Sequence, residues 1–578
     1  MSWRQGILIG FAGLCLVLAS AIVYISSRVN DFIVETGPSG AFLAARQAAR
    51  LNDSDSAGAF YAQALAARPG DETLLREALQ AHLMAGQMNQ AVATAQRIVA
   101  VNEDARQARL LLAIHAFKQA NFKGAKTHLN KMSKGPFTEL LAPNIRLWMA
   151  LAEDDENARH KAVKRLARAS VFTAAPLVQA AQALELNGEI NEAQAYYERA
   201  LQSGGARYVF MVLAYGEFLH RQGNTEKAEK LYDFYDERNL PHPHVSAARA
   251  RLYEGQPLAA NDDPKAGLAL AFAAIGEAMN GENRTELALG FFRVANFLDD
   301  DSDIITFNVA RQLGALERHV SAAEKFAEID DDELMYDAAQ IERAQMLFEA
   351  GASEAAIAVL YAAQKSQPEN RDILISLGDL YRAEHRFAEA EGVYDRAIAL
   401  SGEPQPRHWF LYFARGMMRE RLGNWDMAEM DLQHARELSG DEPNVLNYLG
   451  YSWIDQGIHL DEGLKIIRMA VQKDPKNGAF IDSLGWAYFK LGDYKNALKY
   501  LEVASQIEAT DPIITDHLGD ALWRVGRKVE ARYQWRKALA FEPTDEDRQS
   551  IEAKLLTGLG PPEKKKPKAH MPRGGTAI

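Results

Sequence analysis

Small and bulky apolar residues return along this chain with a period of 34. Ala57, Ala91 and Ala125 are 34 apart, as are Ala288, Ala322, Ala356 and Ala390, and again Ala497 and Ala531. Each of these alanines is followed by a bulky residue four positions on and usually a small one seven on. Ala57-Tyr61-Ala64, Ala193-Tyr197-Ala200, Ala288-Phe292-Ala295, Ala390-Tyr394-Ala397 and Ala531-Trp535-Ala538 show the pattern. Spacings of four and seven fall on one face of an α-helix. The small residues would let a second helix approach, and the large one would fill the gap between repeats. Twelve positions upstream lies another amphipathic stretch, with Gly378, Gly485 and Gly519 at its small position. Turns such as Leu491-Gly492-Asp493 and Val525-Gly526-Arg527 separate the two stretches, and Pro69, Pro368 and Pro543 close several units. The pattern predicts helix-turn-helix units throughout. Thirteen are legible; Ala125 and Ala193 lie 68 apart, so a fourteenth is expected around Arg159, which stands where a small residue belongs.

Two stretches carry the unit most fully: Ile481-x2-Leu484-Gly485-x2-Tyr488…Ala497-x3-Leu501 and Leu374-x2-Leu377-Gly378-x2-Tyr381…Ala390-x3-Tyr394. Both resemble the tetratricopeptide (TPR) motif. The resemblance implies an all-α fold of TPR helix-turn-helix repeats stacked in a right-handed superhelical solenoid, with the first helix of each repeat lining the concave face.

Interruptions of the phase divide the chain. Residues 38–235 read as a first block of repeats. From Ala228 to Ala288 the spacing is 60, neither one period nor two, and the interval holds Pro241, Pro243, Pro257 and Pro264; 236–267 reads as a degenerate repeat or a joint. Residues 268–543 read as a second block, with a loop lengthened at Ser401–His408. Residues 544–557 read as a helix capped by Thr544 that covers the end of the array. Residues 558–578, with Lys564, Lys565, Lys566 and Lys568, read as a disordered basic tail.

Residues 1–28 are different in kind. Ile7 to Ile25 carries neither charge nor proline, and these nineteen residues would span about 28 Å as a helix. Arg4 precedes them and Arg28 follows. They read as a retained inner-membrane anchor, or as a signal segment cleaved after Ala19-Ser20-Ala21. Either places the repeats in a bacterial periplasm, anchored or soluble.

The 578 residues exceed what one core supports, so several domains or an array are required. A net charge of −13 disfavours nucleic acid as a partner. Cys15 is the only cysteine, which excludes disulfides and thiolate metal sites from the repeats. HExxH, P-loop, GxGxxG and GxSxG motifs are absent, so no enzyme, cofactor or metal is expected. His242-x-His244 reads as plain loop histidines, and Asp299, Asp301 and Asp303 as solvated residues ahead of the next helix.

Function is therefore sought in binding. By the TPR resemblance, Asn447, Tyr451, Asp482, Trp486, Phe489, Asp516, Asp520 and Trp523 would point into the concave groove of the last three repeats. Aromatic rings among carboxylates suit a basic peptide segment, and the same positions lack the Lys and Arg of a carboxylate clamp. The stretch Leu449-Gly450-Tyr451, Asp482-Ser483-Leu484-Gly485-Trp486, Asp516-His517-Leu518-Gly519-Asp520 and Trp535-Arg536 resembles TPR scaffolds of the Gram-negative envelope. One branch of that group is a lipoprotein that links a carboxyl-terminal processing protease to peptidoglycan hydrolases. That resemblance implies a non-catalytic adaptor, although Leu14 ahead of Cys15 does not make a lipidation site. The alternative is an assembly factor or carrier subunit of an envelope polysaccharide or peptidoglycan machine.

Overall fold

The computed structural model describes residues 37–561 apart from 52, 169–173 and 238–241. The apolar segment Ile7–Ile25 and the lysines of the tail lie outside the described residues. Among the described residues the regular structure is thirty α-helices and two short 3-10 turns, and no helix is long and apolar enough to cross a membrane. Twenty-six of the helices pack as consecutive pairs; Pro243–Tyr253 and Asp545–Thr557 stand outside this pairing. The pair Pro136–Ala152 and Glu156–Leu166 is the unit expected around Arg159, whose buried guanidinium reaches Asn187 of the next pair.

The alanine phase is the packing phase. Ala57, Ala91, Ala125, Ala193, Ala228, Ala288, Ala322, Ala356, Ala390, Ala428, Ala497 and Ala531 are all 0% exposed. The bulky residue four positions later reaches the following repeat in places, as Tyr197 does at 5.1 Å from Tyr215 and 4.9 Å from Phe218, and it also has a place within its own pair. It lies over the glycine of the first helix of its own pair. A Cβ added to Gly378 would stand 2.7 Å from Tyr394, one on Gly485 2.6 Å from Leu501, and one on Gly519 2.5 Å from Trp535. The glycine makes room for the ring, so repeats with different large residues keep the same helix separation.

Two compact units make up the chain, residues up to Val359 and residues from Leu360. The second contains five helix pairs, from Arg371–Ala383 to Lys528–Leu539, followed by Asp545–Thr557. The first contains eight pairs and helix Tyr336–Glu349, the stretch 236–267 lies inside it, and helix Ser353–Ser366 runs across the boundary.

The first unit departs from a simple stack. Helix Pro264–Gly281 has eleven buried residues distributed around its circumference, the mark of a helix enclosed on all sides. It packs against the first helices Pro136–Ala152, Ala174–Leu186 and Val209–Arg221 of three earlier pairs. Its partner Thr285–Leu298 packs against Glu72–Ala85. The hairpin 264–298 thus lies along the inner face of the preceding repeats. Gly267 passes directly beneath Trp148, where a Cβ would meet the ring at 2.0 Å. The indole is 1% exposed, and its Nε1 donates to Gln179 at 2.7 Å. Glu277 reaches the start of helix Val209–Arg221 and accepts from the N–H groups of Val209 (2.8 Å) and Phe210 (3.3 Å), donors that a helix start leaves unpaired. Further along, Lys118 donates to the carbonyl of Phe297 and lies 4.8 Å from its ring centroid. Arg318 donates to the carbonyl of Met84 at 3.0 Å and pairs with Asp55 at 3.3 Å. The unit closes on itself through these contacts.

Two outcomes are expected. Gly267→Ala forces a methyl into a ring that cannot retreat and lowers stability by about 1–3 kcal/mol, read by chemical denaturation. Burial pushes the Glu277 carboxyl up to about 8, even against its two N–H donors. Its folded value lies above its unfolded one, so its contribution is complete below about pH 4.5 and is lost as pH rises through 8. Stability of the wild type should therefore fall relative to Glu277→Gln between pH 5 and 8, by up to about 1.4 kcal/mol per pH unit.

Candidate functional site

In the second unit the first helices pack directly on one another, Pro443–Asp455 on Gly478–Lys490 and that on Pro512–Arg524. These helices carry all eight residues singled out from the sequence. Asp511 and Asn477 cap two of them by accepting from Ile514 N–H and Phe480 N–H, which fixes the start of each helix and the register of its face.

The centre of the face is a stack. Trp486 lies on His517 with centroids 4.0 Å apart and planes 13° from parallel, and on Phe489 at 4.8 Å and 7°. His517 Nδ1 contacts both oxygens of Asp482, at 3.0 and 3.1 Å, and both side chains are buried. Burial alone would lower the imidazole's pKa. Asp482, with Asp516 and Asp520 beyond it, outweighs burial and holds the pKa above the usual histidine value. In its protonated form the imidazole sets a cation against an indole face, an arrangement that adds electrostatic attraction to the packing. Because the folded pKa is raised, the stabilisation from this pair is complete below about pH 6.5 and is lost as pH rises through the folded value.

One repeat earlier stand Asn447 and Tyr451, both half-buried. Burial pushes the Tyr451 hydroxyl up, and Asp455, Asp482 and Asp547 push it further in the same direction. The oxygen Oδ1 of Asn447 and the Nε1 of Trp486 are both shielded from solvent and make no hydrogen bond among the described residues. An acceptor and a donor so placed cost free energy until something pairs with them.

The far end of the face differs from the groove expected there. Helix Asp545–Thr557 lies against it, with Thr544 as N-cap accepting from Asp547 N–H. Lys554 Nζ contacts Asp516 at 2.5 Å and Asp520 at 2.9 Å. Asp520 is buried and also accepts from Trp535 Nε1 at 2.9 Å. Burial, followed by the neighbouring Asp516, raises the Asp520 carboxyl to about 6, with Lys554 opposing. Trp523 packs at 5.3 Å on Trp535, beneath Gly558 and beside Lys528 and Arg532. Asp516, Asp520 and Trp523 are therefore engaged by the chain's own last helix. Asn447, Tyr451, Asp482, Trp486 and Phe489 form the rest of the face. His517 and Lys554 are the members that residue-type reasoning missed. Lys554 could have been found from the period, since it follows Asp520 by 34.

Two motifs set aside in the sequence meet in the first unit. His244 Nε2 lies 2.8 and 3.0 Å from the two oxygens of Asp303. Asp303 is buried rather than solvated, and it also accepts from the N–H groups of Met335 (3.0 Å) and Ile304 (2.6 Å). Burial works against this carboxylate, but His244 and the two N–H groups hold it below the usual range. Burial, with His244 nearby, lowers His242 to about 4. The pair ties the stretch after the phase break to the following repeat; among the described residues no cluster is arranged to hold a metal ion.

Profiles of the tetratricopeptide repeat match residues 178–241, 341–404, 375–443 and 482–511. A relative, the TPR repeat-containing protein PA4667 of Pseudomonas aeruginosa, is 27% identical over 226 residues. The match covers 38% of this chain and 36% of that protein, so the chain spans about a third of the relative's length. Among solved structures, the APC/C hetero-tetramer Cut9–Hcn1 aligns with 90% of this chain and 96% of its own at 14% identity and a TM-score of 0.37. YrrB, described as a TPR protein with an unusual peptide-binding site, aligns with 33% of this chain and 92% of its own at 21% identity and a TM-score of 0.26.

Replacing Lys554 tests the packing of the last helix. Lys554→Met leaves Asp516 and Asp520 without their cation and should cost about 3–5 kcal/mol, seen as faster hydrogen exchange across 545–557. Without the lysine the two carboxyls bind protons more readily folded than unfolded, so the deficit should be smaller at pH 5 than at pH 8.

Proposed function

The chain carries tetratricopeptide repeats, which generally mediate protein–protein interaction, and we propose that it is a non-catalytic scaffold that captures partner proteins on the inner face of its second unit. The observation that carries this reading is the unsatisfied polar pair, Asn447 Oδ1 and Trp486 Nε1, beside the Tyr451 and Trp486 rings. A peptide backbone offers the N–H and C=O that these two atoms lack, and the rings offer apolar contact to its side chains. Asp455 pairs with Lys490 and Asp482 with His517, and the acidic character that these carboxylates still lend the face favours a segment bearing Lys or Arg over an acidic one.

The first unit serves differently in this reading. Its inner face is filled by the hairpin 264–298, so it acts as a rigid block and leaves peptide capture to the repeats that follow.

The resemblance of 449–543 to envelope TPR scaffolds supports a more specific job. In it the chain joins an envelope processing protease to cell-wall hydrolases, held at the inner membrane by Ile7–Ile25 or released by cleavage of that segment. An affinity capture from crosslinked envelopes with the tagged full chain tests this. Recovery of the protease together with hydrolases supports the adaptor. Recovery of polysaccharide or division components alone assigns the scaffold to another machine.

The groove itself is tested by substitution. Asn447→Ala and Trp486→Phe, which keeps a ring on His517 but removes Nε1, should each weaken capture of a basic partner peptide at least tenfold while the thermal transition stays within a few degrees of wild type. Trp523→Ala should instead lower that transition, because its ring belongs to the packing of the last helix. Unchanged capture in both groove variants would remove the second unit's inner face as the partner site.

A further inference from the structure

The first unit holds a cleft of about 370 Å³ on the side formed by second helices, remote in sequence from the proposed groove. Its walls are Phe122–Lys131 and Glu156–Leu166, and its floor is the apolar surface of Pro143, Met149 and Ala150 from the helix between them. Four cations line it, Lys126, Arg146, Lys161 and Arg165, with a single carboxylate, Glu153.

That carboxylate is already taken, since Lys126 Nζ lies 2.6 Å from it. Arg146 donates only to the neutral amide of Asn130, at 3.0 Å. Among the described residues Lys161 and Arg165 have no hydrogen-bonded or ion-paired partner. The acidic chain has 78 carboxylates against 65 cations, yet here none is supplied to three of the four positive groups. Arg146 is half-buried, and burial, together with the repulsion of Arg165, lowers its pKa. Two guanidinium groups that repel each other at the edge of a partly dry cleft are unfavourable unless an anion bridges them. Two planar forks of N–H donors match the oxygens of a tetrahedral oxyanion better than they match water.

We propose that this cleft binds a phosphate-class oxyanion, bridged by Arg146 and Arg165 with Lys161 and Lys126 at its margins. The chemistry is shared by a free phosphoester and by the headgroup of an anionic phospholipid. The volume admits either headgroup. A bare carboxylate would use fewer of the donors. The site is separate from peptide capture, so an anion here would not compete with a basic peptide on the second unit.

The test uses the full chain and pyrophosphate as the soluble probe, followed by calorimetry at low and at physiological salt. Binding should weaken as salt rises and should fall at least tenfold in Arg165→Gln and in Lys161→Gln, two exposed positions whose loss leaves the fold intact by circular dichroism. Arg146→Gln should abolish it. Co-flotation with vesicles distinguishes the sources. An excess of binding to phosphatidylglycerol over phosphatidylcholine vesicles that disappears in Arg165→Gln identifies a lipid headgroup, because insertion of the N-terminal segment affects both variants alike. Pyrophosphate binding without that excess identifies a soluble phosphoester. Absence of both, or binding indifferent to Arg165→Gln and Lys161→Gln, overturns the proposal.

Discussion

Helices can pack with their backbones close together only where the side chains between them are no larger than a methyl or where a hydrogen stands opposite a ring. Everything in this protein rests on meeting that condition once in each repeat. The alanine of each second helix is fully enclosed, and opposite the ring four positions later stands a glycine in several pairs. Because the close approach is secured by absence of side chain, the identity of the large residue is free to vary among Tyr, Phe, Leu and Trp. The exception is informative. Arg159 occupies an alanine position and remains buried, which it can do because its guanidinium leaves the interface to reach Asn187. A long side chain is tolerated there because its bulk is delivered elsewhere.

The same condition explains how one motif produces two kinds of unit. A stack of helix pairs leaves the inner face of its first helices without a partner, and that face must be covered or solvated. In the first unit it is covered. Pro264–Gly281 is small and apolar all round, so it fits along the inner face, with Gly267 under Trp148 and Glu277 at a helix start. In the second unit the inner face is aromatic and acidic, and the chain covers only its end. A face already filled by its own chain contributes rigidity; a face with unpaired polar atoms has affinity to give. The division of labour follows from composition of the first helices, not from a change of motif.

The sequence made the repeats legible because period and helix face are local properties. Spacings of four, seven and 34 located the helix pairs, including the one at Arg159, and Thr544 located the last helix. What escaped was tertiary. The uniform apolarity of Leu268-Ala269-Leu270-Ala271-Phe272 was visible, yet it was read as one more repeat, since period alone does not say what surrounds a helix. His244 and Asp303 were read separately, as a loop histidine and a solvated residue, and are in fact partners 59 residues apart. Of the eight groove residues, Trp523 and the carboxylates Asp516 and Asp520 are occupied by the last helix, because position within a repeat says where a side chain points and not what meets it. Lys554 was the missing term, and only a superposition of the last helix on the repeat phase would have put its charge over Asp520.

That superposition also accounts for the chemistry of the face. The last helix stands where the first helix of another repeat would stand, so its lysine meets the two carboxylates from the direction in which His517 meets Asp482 one repeat before. In both places a carboxylate on one first helix is answered by a cation from the following one, and a ring lies over or beside the pair: Trp486 on His517, and Trp523 packed near the end of the array. Repeats are thus joined along this face by charge as well as by packing. The tie recurs at the end of helix Pro443–Asp455, where Lys490 of the next first helix lies 3.2 Å from Asp455, while Asn447 further back on the same helix leaves its amide oxygen unpaired. That unpaired acceptor is the place on this face where a donor from outside can be received.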